Sequence, residues 1–126
     1  MIYGIGVDVL EPQRIARLLD LYGERFARRV LTEDEWPYYQ RSARPMQFVA
    51  IRFAAKDAFT KAMGTGFRFP ATLGQINVLQ NRRGKPELHF RAVLQPLVDA
   101  ESIAGAHVTI SDERSVVCAV VVLERR

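Results

Sequence analysis

The chain is poorest in the side chains that hold small folds together by covalent or coordinate bonds. Its 126 residues include one cysteine, Cys118, and two histidines, His89 and His107. A single cysteine excludes an internal disulfide, and no partner at metal-ligand spacing accompanies it, so neither a disulfide framework nor a zinc site is expected. Cys118 lies in the apolar run Val116–Leu123 and reads as a buried strand residue, suited to the reducing cytoplasm. Long hydrophobic runs are missing too, and nothing approaches the roughly 20 apolar residues of a membrane-spanning helix. The first ten residues lack the basic region and cleavage site of a secretion signal, so a soluble, unprocessed protein with no membrane partner is expected. No Gly/Ser linker, biased tract or repeat divides the chain. At this length, with 48% apolar residues, one core forms and two do not, so residues 1–126 read as a single domain.

What the chain does have is basic charge and well-marked punctuation. Eighteen Lys and Arg against fourteen Asp and Glu give a net charge of +4. That favours an anionic partner without choosing among nucleic acid, an acidic protein and a polyphosphate. Ile2, Ile5, Val7 and Val9 around Gly4 and Gly6 read as a strand that delivers Asp8 near its end. Pro12 suits a first helical turn, and Ile15, Leu18, Leu19, Tyr22 and Phe26 predict one amphipathic helix over Arg14–Arg29. Its outer face is basic, with Arg14, Arg17, Arg25 and Arg28 in one broad stripe. Thr32 with Glu35 three residues later is a capping-box pattern that starts another helix.

Phe48, Ile51, Ala55, Ala58, Phe59 and Ala62 keep a helical period over Gln47–Met63. Arg52, Lys56, Asp57, Thr60 and Lys61 read as the polar side of that helix, and Gly64-Thr65-Gly66 as its end. Beyond it, Ile76–Leu79 and Leu88–Phe90 read as strands and Arg91–Ala100 as a helix interrupted by Pro96. His107–Ser111 and Val116–Leu123 read as a closing hairpin. Strand, then helices, then mostly antiparallel strands make the fold class α+β.

Two carboxylates carry the chemical argument. Asp8 interrupts an apolar strand, where a carboxylate is costly unless paired or bound to a cation. Asp57 is the one acid on the polar side of the long helix, between Lys56 and Lys61. Each also has a plain reading: a turn-capping aspartate for Asp8, an i,i+4 ion pair with Lys61 for Asp57. If strand end and helix meet, the two carboxylates supply what magnesium takes from a protein, with waters and substrate phosphate oxygens completing the octahedron. Trp36, Tyr38 and Tyr39 read as a core or interface cluster.

Three blocks carry a resemblance: Gly4-Ile5-Gly6-Val7-Asp8-Val9 with Arg14-Ile15 beyond it; Arg52 through Gly66; and Gly84-Lys85-Pro86. Together with His107-Val108-Thr109-Ile110-Ser111 they resemble, in order and over about residues 1 to 124, the bacterial holo-acyl-carrier-protein synthases, a family of phosphopantetheinyl transferases. The resemblance implies transfer of the 4′-phosphopantetheine arm of coenzyme A to a serine of apo acyl carrier protein, in support of fatty acid biosynthesis. It implies a homotrimer of α+β subunits with active sites at the subunit clefts. By position, Asp8 and Asp57 bind magnesium, and Lys61 meets the phosphates and the transferring group. Arg44, Arg52, Gly64 and Pro86 contribute to the coenzyme A site, and Arg14 meets the carrier protein; Arg17, in the same basic stripe, is expected to join it there. Two departures stand out: the family usually has glutamate at the position of Asp57, and commonly histidine where this chain has Asp112.

Two other functions fit the composition. A non-enzymatic nucleic-acid-binding domain would explain the basic charge, but no helix-turn-helix, RNP or finger signature is present, and no nucleic-acid partner is expected. A metal-dependent phosphohydrolase would use the same carboxylates, and only the resemblance argues against it.

Overall fold

The computed structural model describes residues 1–126. The chain runs β1 (Ile2–Leu10), α1 (Pro12–Tyr22), α2 (Glu24–Val30), α3 (Trp36–Arg41) and α4 (Pro45–Met63). A short 3-10 turn over Leu73–Gln75 leads into β2 (Ile76–Gln80) and β3 (Pro86–Phe90). Then come α5 (Gln95–Ala100), β4 (Ile103–Asp112) and β5 (Val117–Arg125). The strands form two antiparallel sheets, β1-β5-β4 and the hairpin β2-β3, so the expected α+β class holds. No helix is long and apolar enough to cross a membrane.

Helix α4 is the centre of the molecule, lying across β1 and β5. Its C-terminus closes as a Schellman motif: Gly64 is left-handed at φ 78°, its N–H donates to Lys61 O, and the Thr65 N–H donates to Thr60 O. The face of α4 turned to β1 is made of alanines, and β1 answers with glycines. A Cβ placed on Gly4 would lie 1.9 Å from Ala62 O, and one on Gly6 1.9 Å from Ala58 O. Helix and strand backbones therefore touch with no side chain between them.

The opposite face of the three-stranded sheet is uncovered. Val7 pairs with Val120, which pairs in turn with Thr109, and Ile5 with Val122, which pairs with His107. Ile5, Val7 and Val9 are 61%, 49% and 63% exposed. Cys118 lies in β5 as expected but on this outer face, half-buried rather than in the core.

Three expectations need correcting. The single helix over Arg14–Arg29 is two helices, because Gly23 breaks it at φ 58° and ψ −138°. Arg14 and Arg17 therefore share a face on α1, while Arg25 and Arg28 belong to a separate element. Pro96 does not interrupt a helix but sits in the first turn of one, which begins only at Gln95. Arg52 and Lys56 are not on a solvated face, being 7% and 0% exposed. The reciprocal Thr32–Glu35 hydrogen bonds are formed, with Glu35 N–H donating to Thr32 Oγ1 at 3.0 Å and Thr32 N–H to Glu35 Oε1 at 2.8 Å, but they close a turn ahead of α3, which begins only at Trp36 with Glu35 as its N-cap. Trp36 and Tyr39 pack with Phe48 as an aromatic cluster.

Candidate active site

Along β1, residues 4, 6 and 8 share one face. The two glycines seat α4 directly on the strand, and Asp8, third in that row, is brought against the helix turn carrying Asp57 and Lys61. Lys61 Nζ lies 3.3 Å from Asp8 Oδ1 and 3.8 Å from Asp57 Oδ2, and donates to Val7 O at 3.0 Å. The i,i+4 pair read from sequence is thus present, but as one side of a three-residue cluster. Asp8 Oδ2 is buried and accepts no hydrogen bond.

Burial, then the hydrogen-bonding and charge of Asp57, push the Asp8 carboxyl up from 3.8 to about 6, and Lys61 only partly offsets them. Two carboxylates sharing one lysine, with one Asp8 oxygen buried and unpaired, are electrostatically short of positive charge. The donor set is two hard carboxylates, with no third His, Cys, Asp or Glu nearby. That suits an oxygen-seeking dication that keeps most of its water, such as magnesium, and not a dedicated transition-metal cage.

A second group of predicted residues meets elsewhere on α4. Arg52, Gly84, Pro86 and Asp112, with Ile51 and Val78, line a cavity of about 190 Å³. Asp112 is held there by Gln47 Nε2, which donates to its Oδ2 at 3.2 Å. Arg44 and Gly64 do not join either group: they are exposed at opposite ends of the 19-residue α4, about 28 Å apart along its axis. Arg14 and Arg17 are exposed on α1. Beside that helix, Leu18, Tyr22, Arg25, Phe26, Arg29 and Phe53 line a largely apolar cavity of about 460 Å³.

The sequence reading missed a buried ionic network. Lys56 Nζ donates to Glu35 Oε1 at 2.6 Å, Val30 O at 2.6 Å and Leu73 O at 3.1 Å. Burial pushes the Lys56 pKa down and the Glu35 carboxylate pulls it back up. A signal was present: Val49, Arg52, Lys56, Phe59 and Met63 fall on one helical row, so the two cations interrupt an apolar stripe.

Comparison with known proteins gives this arrangement its context. Residues 4–121 match the 4′-phosphopantetheinyl transferase superfamily. A holo-[acyl-carrier-protein] synthase of Nitrosospira multiformis is 53% identical over 125 residues, covering 99% of this chain and all of that protein. One of Nitrosomonas eutropha is 50% identical with the same coverage. Among solved structures, the holo-[acyl-carrier-protein] synthase of Neisseria meningitidis superposes with a TM-score of 0.97 at 38% identity, covering 99% of this chain and 100% of that one. A Bacillus anthracis synthase in complex with CoA (3′,5′-ADP) superposes at 0.83 and 38% identity, over 100% and 99%.

Proposed function

Because the chain belongs to the 4′-phosphopantetheinyl transferase superfamily, we propose that it is a holo-acyl-carrier-protein synthase, moving 4′-phosphopantetheine from coenzyme A to a serine of apo acyl carrier protein. The observation that carries this reading is the convergence of Asp8, Asp57 and Lys61 where β1 meets α4. A family likeness predicts such a cluster; a nucleic-acid-binding domain has no use for it.

In this reaction the serine oxygen attacks the phosphorus bearing the pantetheine arm, the serine proton is lost, and adenosine 3′,5′-bisphosphate leaves. Asp8 and Asp57 are the residues that would hold magnesium, which when bound polarises diphosphate oxygens and offsets the charge of the leaving group. The unpaired Asp8 oxygen and the proximity of the two acids support that assignment. Lys61 is half-exposed beside the two carboxylates and supplies positive charge where negative charge develops on the phosphates. Arg52, Gly84 and Pro86 form the wall against which the nucleotide is held.

The separation of Arg44 and Gly64 along α4 supports a site completed by more than one copy, since one subunit does not bring them together. The uncovered apolar face of the β1-β5-β4 sheet supports the same view, and a closed homotrimer satisfies both. For the carrier protein, Arg14 and Arg17 offer positive charge beside the apolar cavity of α1 and α2, a combination suited to an acidic protein with apolar contacts of its own.

One incubation tests the reading. Protein, magnesium, coenzyme A and apo acyl carrier protein are combined, and the carrier is weighed by mass spectrometry. A gain of one phosphopantetheine group confirms the transferase, release of free phosphate marks a hydrolase, and neither change removes the proposal.

A further inference from the structure

The buried cluster under the Arg52 cavity is unevenly satisfied. Glu35, 0% exposed, is its one carboxylate. Its Oε1 accepts from Lys56 Nζ and the Thr32 N–H, and its Oε2 accepts from the Val78 N–H at 2.8 Å. Lys56 is fully used by its three acceptors. Arg52 is not: Glu35 Oε2 stands 3.9 Å from its Nε, which has no hydrogen-bond partner, and Nη1 reaches only Phe48 O at 3.4 Å. The guanidinium lies over the Phe48 ring, 3.5 Å from its centroid.

Two buried cations thus share one buried anion, and Arg52, the less satisfied of the two, lines the cavity formed with Gly84, Pro86 and Asp112. Burial pulls the Arg52 pKa down and only Glu35 raises it again. Glu35 also ties together the pieces on either side, joining α4 through Lys56, the turn before α3 through Thr32, and β2 through Val78. The β2-β3 hairpin that carries Gly84 and Pro86 is therefore tied to α4 through this carboxylate, and to the turn before α3 also through Asn77, which accepts from Thr32 Oγ1 and donates to Asp34 Oδ2 at 2.9 Å.

We propose that Glu35 is a positioning residue for coenzyme A binding: it holds the Arg52 guanidinium at the wall of the nucleotide cavity without consuming its N–H groups. Lys56 is the hydrogen-bonded counter-charge of the buried Glu35 carboxylate, and itself touches no substrate. The inference rests on the proposed transferase reading and on Arg52 facing the nucleotide.

Replacing Glu35 alone leaves buried cations without a counter-charge and threatens folding, so both members of the pair are changed. In Glu35→Gln/Lys56→Met the ionic link is removed at nearly constant volume. Steady-state kinetics on folded protein should show about a tenfold rise in the KM for coenzyme A, with kcat and the KM for carrier protein within about twofold of wild type. In an Arg52→Gln background the same pair of changes should add nothing further, because its effect passes through Arg52. An unchanged coenzyme A KM, equal rises in both KM values, or effects that simply multiply with Arg52→Gln would overturn the positioning role while leaving the transferase intact. If Arg52→Gln alone leaves the coenzyme A KM unchanged, the cavity is not the nucleotide site and the proposal falls with that assignment.

Discussion

Replacing Gly6 with alanine tests whether the active site is built by backbone contact. The added Cβ would stand 1.9 Å from Ala58 O and 2.7 Å from Ala62 N, both main-chain atoms of α4 that no side-chain rotation can move aside. Bringing the first contact out to 3.0 Å requires strand and helix to part by roughly 1 Å or more. Overpacking of this kind costs about 1 to 3 kcal/mol. Alanine's lower unfolded-state entropy returns about 0.4 to 1 kcal/mol of that. The central net loss of about 1.3 kcal/mol lowers the melting temperature by roughly 5 °C for a domain of this size, and the largest by about 10 °C.

The catalytic effect should exceed the effect on stability. The same displacement carries Asp57 and Lys61 away from Asp8, and misplacement by about 1 Å costs on the order of 100-fold in rate. Transfer of phosphopantetheine, followed by carrier mass, reads the rate, and a thermal melt reads stability. Gly105→Ala is the control. Its Cβ would meet side-chain ends first, Glu124 Oε1 and His107 Nε2 at 3.2 Å, and both can swing away. A Gly6→Ala enzyme with near-wild-type rate and melting temperature would refute the idea that this contact sets the site.

Asp57→Ala should abolish transfer, while Asp57→Glu, which restores the family's usual residue, should keep substantial activity by the same mass assay; equal loss in both would mean the helix is misassigned. Asp8 binds a proton more tightly in the fold than in the unfolded chain, so its ionisation lowers stability as pH rises from about 4 to about 6. Metal-free Asp8→Asn should therefore be more stable than wild type at pH 7, by about 1 to 3 kcal/mol with the lower figure allowing for solvent screening, and inactive; chemical denaturation checks the sign. Since the proton competes with the cation for this carboxylate, magnesium affinity measured by calorimetry should weaken progressively below pH 6 and be flat above pH 7. Charge reversal in Arg14→Glu should raise the KM for carrier protein several-fold at low salt, less at high salt, and leave that for coenzyme A unchanged.

The parts of this molecule that could be read from its residues are those decided locally. The Thr32–Glu35 hydrogen bonds and the Gly64 helix end depend on neighbours within five residues, and both form, although the first closes a turn and the helix itself begins at Trp36. Asp8 and Asp57 were identifiable as costly or isolated acids, but spacing alone could not bring them together. That required knowing that Gly4 and Gly6 admit the backbone of α4. Helical periodicity ran straight through Gly23, since a repeat of apolar positions is insensitive to one residue of left-handed backbone. It also put Arg52 and Lys56 on the solvent side, because charge usually goes there. Glu35, the acid that makes their burial affordable, lies 21 residues before Lys56, beyond the reach of any pattern within the helix.

The bare outer face of the β1-β5-β4 sheet makes the stability of this chain depend on what covers it. Whatever covers Ile5, Val7 and Val9 binds the folded chain and not the unfolded one, so it adds to the free energy of folding by mass action. The addition is about 2.7 kcal/mol when the cover is present at a hundred times its dissociation constant. When the cover is further copies of the same chain, folding and association become a single equilibrium. Dilution then exposes the sheet, loosens the fold and disperses the residues of a shared site at once, so an enzyme built this way has a threshold concentration below which catalysis and structure are lost together.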